Sequence, residues 1–302
     1  MAKLFRCMLQ IVDIERKMST SSSHFSIANQ LLYVNDKIKA ASVKRPQHLQ
    51  YSTPRLVAVS KTKGTDLIIE AYDAGQRHFG ENYVVELHEK ANDIEIQDRC
   101  QDIQWHFIGH LQRNKISKIL DVPNLFVIET VDSEKLAKAL SDSWGKLKKS
   151  GHLQVMAQIN TSGETSKSGC SPSEAVQLVK YIKEHCPHLQ LLGLMTIGSF
   201  DHDINSGPNP DFQALFDIRK EVCQSLNILE KDLELSMGMS ADFEHAIEMG
   251  STNVRVGSTI FGERRGHQEK GTASDQSVQT DQNRETNDVQ SSLNKIESLA
   301  LT

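Results

Sequence analysis

The sequence lacks any apolar run near the roughly 18 to 20 residues that a membrane-spanning helix needs, which excludes such a helix. Cysteine is also scarce: the five cysteines are scattered, odd in number and never spaced as CxxC. This pattern argues against a disulfide framework and a zinc knuckle, and it favours a reducing compartment. We therefore expect a cytoplasmic location.

Basic blocks and aromatic residues are few. The chain carries 34 Lys and Arg against 39 Asp and Glu, a formal net charge of -5, and 6% of its residues are aromatic. Because no basic stripe with interleaved aromatics is present, a nucleic-acid partner is not expected. The 302 residues suffice for one large domain or two ordinary ones.

Both ends of the sequence differ in composition from the part between them. Residues 1–22 faintly resemble a mitochondrial presequence, but Asp13 and Glu15 argue against one. We expect a disordered leader there, with a mitochondrial location as the alternative to the cytoplasm. Residues 266–302 are polar with almost no apolar periodicity, which predicts a disordered tail. The predicted folded domain covers residues 23–265.

Short apolar runs alternate with amphipathic stretches between these ends. The runs predict eight strands: Leu56–Ser60, Arg77–Phe79, Gln104–Ile108, Leu125–Thr130, Leu153–Ile159, Gln190–Met195, Glu234–Ser236 and Asn253–Val256. Helices are predicted over Ser23–Ala41, Asp66–Ala74, Tyr83–Asn92, Lys115–Leu120, Ser133–Ser150, Pro172–His185, Phe212–Leu226 and Ala241–Met249. Strand–helix alternation is typical of a parallel sheet, and eight strands favour an α/β fold of the (β/α)8 barrel type over an open doubly wound sheet.

The first predicted strand lies in LVAVSKT and leads into a lysine. Strand alternation places Val57, Val59 and Lys61 on one face, so the amine lies in line with a buried row. Apolar surroundings lower the pKa of an ammonium group and leave more free amine to attack a carbonyl. A lysine that extends into water from a strand end is the alternative that this stretch alone leaves open.

The last two predicted strands are followed by groups that suit an anion. Arg255 and Gly257 share a face, and the hydroxyls of Ser258 and Thr259 follow beside amides that open a helical turn. Ser240 follows the seventh strand, where it is either a helix N-cap only or also an anion ligand, because both roles use the positive end of a helix. Because the loops after strands seven and eight form the usual phosphate site of this fold, these residues predict one.

Three other kinds of site find little support. VGSTIFGE lacks the Lys-Ser/Thr of a P-loop, which argues against nucleotide hydrolysis. His106 and His110 lie four apart on a strand and turn, which is not the helical spacing of a zinc site, so we expect no metal. No nucleophile elbow or Cys/His pairing indicates a hydrolase.

A reactive amine, a phosphate site and an inward arginine together suit a phosphorylated aldehyde. Pyridoxal 5'-phosphate is such a molecule. Its aldehyde would condense with Lys61, and Arg255 would face the pyridine nitrogen and keep it unprotonated. Because an unprotonated ring is a poorer electron sink, carbanion chemistry would be restrained.

Five motifs resemble those of the pyridoxal phosphate homeostasis protein family: VAVSKT, FGENYVVE, WHFIGHLQRNK, GLMTIGSF and LSMGMSADFEHAIEMGSTNVRVGSTIFGER. The resemblance spans residues 26–264 and implies a single-domain barrel similar to the N-terminal domain of alanine racemase. It implies that Lys61 holds the cofactor as an aldimine, with Arg255 opposite the pyridine nitrogen. The other cofactor-binding residues that it implies are Asn82, His106, Met195, Thr196, Ser240, Gly257, Ser258 and Thr259.

The resemblance also implies a role. Family members bind pyridoxal phosphate without an established turnover and buffer it or supply it to apoenzymes, so we expect a monomeric binding protein without catalytic residues. The alternative is a pyridoxal-phosphate-dependent racemase or lyase of weak activity. Alanine racemase-like enzymes take a second base from an additional β domain, whereas only a polar tail follows here. Tyr83 or His106 would remain as a lone base.

Overall fold

The strands of the protein close into a barrel. The structure, a computed structural model, describes residues 26–199, 202–203 and 206–263. Within them, eight parallel strands pair in chain order, and the last pairs with the first. The strands are β1 (Arg55–Val59), β2 (His78–Glu81), β3 (Gln104–Phe107), β4 (Leu125–Val131), β5 (Leu153–Gln158), β6 (Leu189–Met195), β7 (Glu234–Ser236) and β8 (Asn253–Val256). The predicted (β/α)8 barrel is confirmed.

At least one helix separates each pair of consecutive strands. The described helices are α1 (Ile27–Val43), α2 (Thr65–Asp73), α3 (Val84–Ala91), α4 (Ile94–Arg99), α5 (Ile116–Leu120), α6 (Glu134–Lys146), α7 (Ala175–His185), α8 (Pro210–Leu226), α9 (Phe243–Glu248) and α10 (Ser258–Phe261). No helix in the described ranges is long and apolar enough to cross a membrane.

The sequence interpretation missed α4 and extended α6 too far. Asp93 caps α4, because its carboxylate accepts hydrogen bonds from the amides of Glu95 and Ile96. An aspartate before an apolar residue was therefore the missed signal. The helix predicted over Ser133–Ser150 ends at Lys146, shortly before Lys148 adopts a left-handed backbone with φ of +51°. The predicted leader (1–22) and tail (266–302) lie outside the described residues.

Helix α1 precedes the strand–helix repeat and packs beside the last two helices. Its buried stripe consists of Ile27, Leu31, Val34, Ile38 and Ala41, spaced three or four residues apart as an amphipathic helix requires. This helix contacts α2, α9 and α10. It therefore covers the place where β8 closes against β1.

Alternate side chains of each strand point to opposite sides of the barrel wall. On β3, Trp105 and Phe107 belong to the apolar layer beneath the helices, whereas His106 points into the barrel. On β1, Leu56 and Ala58 belong to that outer layer. Since all strands are parallel, their C-terminal ends open at one mouth, where side chains of inward parity can meet.

Candidate functional site

A cavity of about 450 Å³ opens at the C-terminal mouth of the barrel. Its wall is formed by residues at or just beyond the ends of six strands, namely β1, β2, β3, β6, β7 and β8, and by their neighbours. Of the ten predicted binding residues, seven line it: Lys61, Asn82, Met195, Ser240, Arg255, Gly257 and Ser258. The fold therefore gathers at one place groups that are distant in the sequence.

The other three predicted residues do not line this cavity. His106 is fully buried within β3, and its Nδ1 lies 2.6 Å from a carboxylate oxygen of Glu129. The backbone oxygen of Thr196 accepts a hydrogen bond from Arg255 at 2.8 Å. Thr259 occupies the second position of α10. The ring of His106 is instead held inside the barrel, where its two nitrogens hydrogen-bond to His78 and Glu129.

Lys61 lies in a tight turn that follows β1. The amide of Lys63 donates to the carbonyl oxygen of Ser60 at 3.0 Å, and Thr62 has a φ of +64°, in the left-handed region. The amide of Ser60 donates to the carbonyl oxygen of Gly80 on β2 at 3.0 Å. The turn places Lys61 on the cavity wall, in agreement with the inward parity that strand alternation predicts.

A buried ion-pair cluster holds this turn from the outer side of the barrel. Lys90, on α3, donates to the backbone oxygen of Ser60 at 2.8 Å and to carboxylate oxygens of Glu81 at 2.8 Å and Glu86 at 2.7 Å. The hydroxyl of Ser60 donates to Glu81 at 2.6 Å, and the amide of Thr62 donates to Glu86 at 2.5 Å. Burial raises the pKa of Glu81, and Lys90 opposes that shift. Both residues that flank Lys61 are therefore anchored.

Sequence reasoning missed this cluster. Glu86 and Lys90 lie four residues apart on α3, which is the spacing of a helical ion pair. Glu81 has outward parity on β2, where a carboxylate is unusual because the outer layer is apolar. These two signals were present, but nothing in the sequence shows that the two carboxylates share one lysine.

Lys63 ties the same turn to α10. Its Nζ donates to the backbone oxygens of Phe261, Gly262 and Glu263, each at 3.0 Å. Carbonyl groups at the end of a helix have no intrahelical partner, and an ammonium group there satisfies them. Because Lys63 also lines the cavity, Lys61 has a second lysine beside it.

Arg255 is a buried arginine on the inner side of β8, with 4% of its surface exposed. One terminal nitrogen, Nη1, donates to the hydroxyl of Ser236 at 2.6 Å, and the other, Nη2, donates to the backbone oxygen of Thr196 at 2.8 Å. Burial lowers the pKa of Arg255, while the charges of Glu129 and Asp242 oppose the shift. The guanidinium is a cation fixed in the cavity wall.

The loops after β7 and β8 are joined by a hydrogen bond. The amide of Gly257 donates to the hydroxyl of Ser240 at 3.1 Å. Asp242 is the N-cap residue of α9, so the interpretation of Ser240 as a helix cap is wrong. The chain turns at Gly238, with φ of +96°, where an added Cβ would lie 2.5 Å from that of Ala246. This turn needs a glycine, and it sets Ser240 against the loop of Gly257.

The cavity wall suits an anionic ligand that also donates a hydrogen bond. Among the described lining residues, Lys61, Lys63 and Arg255 carry positive charge, and the others are apolar or neutral. The Oδ1 atom of Asn82 is buried and has no hydrogen-bond partner within the described part of the chain. Since a buried polar atom without a partner is costly, a ligand that supplies a donor there would be favoured.

Comparison with known proteins identifies close relatives. A family model described as "Alanine racemase, N-terminal domain" matches residues 37–265. The pyridoxal phosphate homeostasis protein of Homo sapiens is 55% identical over 248 residues, which are 82% of this chain and 90% of the human protein.

Solved structures are similar across the same region. An unknown protein from Bifidobacterium adolescentis has a TM-score of 0.68 at 36% identity, over 78% of this chain and 94% of that one. PipY of Synechococcus elongatus, solved with pyridoxal phosphate bound, has a TM-score of 0.62 at 31% identity, over 76% of this chain and 100% of PipY.

Proposed function

The chain belongs to the pyridoxal phosphate homeostasis protein family, and we propose that it binds pyridoxal 5'-phosphate in the cavity at the barrel mouth. In this proposal Lys61 holds the cofactor by its aldehyde, and the protein buffers the cofactor and supplies it to apoenzymes. One observation carries the proposal: Lys61 after β1, Ser240 after β7, and Arg255 and Gly257 on or directly after β8 share one cavity wall, and Ser240 and Gly257 are joined by a hydrogen bond.

Each part of this wall has a role toward the cofactor. The amine of Lys61 adds to the aldehyde carbon and water leaves, so that a carbon–nitrogen double bond replaces the carbonyl. The fixed cation of Arg255 disfavours a proton on the pyridine nitrogen. The hydroxyls of Ser240 and Ser258 and the backbone amide of Ser258 hold the phosphate, and the amide of Gly257 positions the hydroxyl of Ser240. Asn82 offers an acceptor that is otherwise unused.

The same wall favours a binding protein over an enzyme. Within the described residues, the titratable side chains that line it are Lys61, Lys63 and Arg255. Neither candidate for a lone base is among them: the side chain of Tyr83 is exposed, and that of His106 is fully buried in the barrel. A pyridine ring without its proton is a poor electron sink, which restrains carbanion chemistry. We therefore assign no catalytic residue.

The remaining parts of the proposal concern the cellular setting. We propose a monomer that works in the cytoplasm, with the mitochondrion as the alternative, and whose partners are apoenzymes that need pyridoxal phosphate. No nucleic-acid partner is proposed, because the net charge is -5 and the sequence has no basic stripe.

Borohydride trapping tests the site. The purified protein is incubated with pyridoxal phosphate, reduced and digested, and the modified peptide is identified by mass spectrometry. We expect a pyridoxyl group on Lys61, and no visible absorption band of a bound imine in the Lys61→Ala variant. The control is Lys118→Ala, which removes a lysine of α5 and should leave the band intact. A principal adduct on Lys63 or Lys167 would place the site elsewhere.

A second experiment separates binding from catalysis. The loaded protein is offered a panel of amino acids while its spectrum and the products are followed, and in parallel it is mixed with an apoenzyme that needs pyridoxal phosphate. We expect a stable spectrum, no product and recovery of the apoenzyme's activity. Turnover that disappears in Lys61→Ala would show the enzyme alternative to be right.

A further inference from the structure

A row of buried polar groups runs through the barrel interior to Arg255. His78 Nδ1 lies 2.9 Å from Nε2 of His106, and His106 Nδ1 lies 2.6 Å from Oε1 of Glu129. From the other side, Arg255 Nη1 donates to Ser236 Oγ at 2.6 Å, and that hydroxyl donates to Oε2 of Glu129 at 2.5 Å. Both arms of the row end on the carboxylate of Glu129.

The groups around Glu129 favour its ionised form. Its two oxygens accept hydrogen bonds from His106, Ser236 and the side-chain amide of Asn253, the last at 3.0 Å. Full burial alone would raise its pKa, but these hydrogen bonds and the nearby positive charge of Arg255 lower the pKa of Glu129 to about 2. A buried carboxylate held in this way is a permanent negative charge inside the barrel.

The hydroxyl of Ser236 can be oriented in one way only. A guanidinium can donate but cannot accept, so Ser236 must accept from Arg255. The single proton of the hydroxyl is then directed to Glu129. The two hydrogen bonds of Arg255 end on neutral groups, the hydroxyl of Ser236 and the backbone oxygen of Thr196. Its charge is therefore balanced across Ser236 by Glu129.

We infer that Glu129 is a positioning residue: acting through Ser236, it fixes the guanidinium of Arg255 in the cavity wall and keeps it charged toward the ligand. The consequence for the pyridine nitrogen rests on the proposed function. The arrangement of Arg255 itself does not depend on any ligand. The same arrangement gives His106 a role different from the predicted one. His106 hydrogen-bonds to Glu129 inside the barrel and does not line the mouth.

The first experiment examines the ligand-free protein. Nitrogen-15 spectra resolve the guanidinium groups of arginines whose rotation is restricted, and Arg255→Lys identifies the signals of Arg255. We expect separate Nη signals in the wild type and their broadening or loss in Glu129→Gln and Ser236→Ala. The matched control is Thr130→Val on the same strand, because the buried Thr130 hydroxyl has no hydrogen-bond partner among the described groups. Arg255 signals that stay unchanged in both test variants would overturn the inference.

The second experiment uses bound pyridoxal phosphate. We expect the absorption and emission bands of the Lys61-linked cofactor to shift in Glu129→Gln and Ser236→Ala in the same direction as in Arg255→Gln, whereas Thr130→Val leaves them in place. Should Glu129→Gln not fold, Ser236→Ala still tests the link, since it removes only the bridging hydroxyl. Altered nitrogen-15 signals of Arg255 without a shift of the cofactor's absorption and emission bands would refute an effect of Glu129 on the pyridine ring.

These outcomes separate the inference from the proposed function. A wild-type protein that forms no adduct would overturn the proposed function, while the nitrogen-15 experiment would still decide whether Glu129 positions Arg255. A wild-type adduct on Lys61, combined with test variants identical to the wild type in both experiments, would overturn the inference alone.

Discussion

The two sides of the barrel wall differ in chemistry, although the same strands supply both. On the outer side, Trp105 and Phe107 are fully buried in the apolar layer beneath the helices. On the inner side, His106 and Glu129 are as deeply buried and are joined by a hydrogen bond. Strand alternation thus assigns one parity to the core that stabilises the fold and the other parity to the groups that prepare the site.

The inner side is itself divided. Val127, Met156 and Met195 form a small apolar cluster on β4, β5 and β6. The polar row of His106, Glu129 and Arg255 extends from β3 to β8. The fixed cation of the site therefore belongs to the polar part of the interior.

The comparison predicts that an outer aromatic residue matters for stability. Phe107→Ala should lower the free energy of unfolding by about 4 kcal/mol, because it removes buried apolar surface and leaves a cavity. Urea unfolding of the ligand-free protein measures this loss. Ile94→Ala is the control, since 76% of Ile94 is exposed and its loss should cost less than about 0.5 kcal/mol. Similar values for the two variants would mean that burial in the outer apolar layer does not stabilise the fold.

The cluster of Lys90 is a polar exception on the outer side. Lys90→Met should lower the free energy of unfolding by about 3 kcal/mol, because it leaves the carboxylate of Glu81 buried without its cation. The variant should also slow the reaction of pyridoxal phosphate with Lys61, as measured by borohydride trapping, because the backbone of Ser60 loses its hydrogen bond from Lys90. Lys39→Met is the control, since the pair of Lys39 with Asp36 lies in water. Normal trapping kinetics in a destabilised Lys90→Met would limit the cluster to a structural role.

The carboxylate of Glu129 predicts a dependence of stability on pH. Its pKa is about 2 in the folded protein, against an ordinary value of 4.5, so the folded state loses stability as the pH falls from 4.5 towards 2. The full loss is about 3 kcal/mol, because each pKa unit corresponds to about 1.4 kcal/mol. Urea unfolding at a series of pH values should therefore show a steeper decline for the wild type than for Glu129→Gln. Parallel curves would mean that Glu129 is not ionised in the fold.

Much of this arrangement could be predicted from the sequence. Strand alternation alone placed Lys61 and Arg255 on inward faces, because a period of two needs no knowledge of distant residues. Strand alternation does not show how far along a strand a side chain stands from the mouth, and the family resemblance, which implied that His106 binds the cofactor, does not show this either. Glu129 lies within a predicted strand on the same parity as Val127, but a lone inward carboxylate does not identify its donors.

The contacts that join separate loops could not be predicted. Lys90 meets Glu81 because β2 and α3 pack together, and Ser240 meets Gly257 because two loops converge. Both contacts depend on the packing of separate elements, whereas propensity and spacing describe one element at a time. The N-cap interpretation of Ser240 is wrong for a local reason, since α9 begins at Phe243 and Asp242 is its N-cap residue.

The smallest expected effect concerns the hydrogen bond between the loops that follow β7 and β8. Ser240→Ala should lower the free energy of unfolding by about 1 kcal/mol, because the amide of Gly257 loses its acceptor. It should also weaken binding of pyridoxal phosphate without moving the absorption band, since Arg255 is untouched. Ser258→Ala, at an exposed position of the same wall, should weaken binding at unchanged stability. A shifted band in Ser240→Ala would mean that the phosphate loops and the polar row of the interior are not independent.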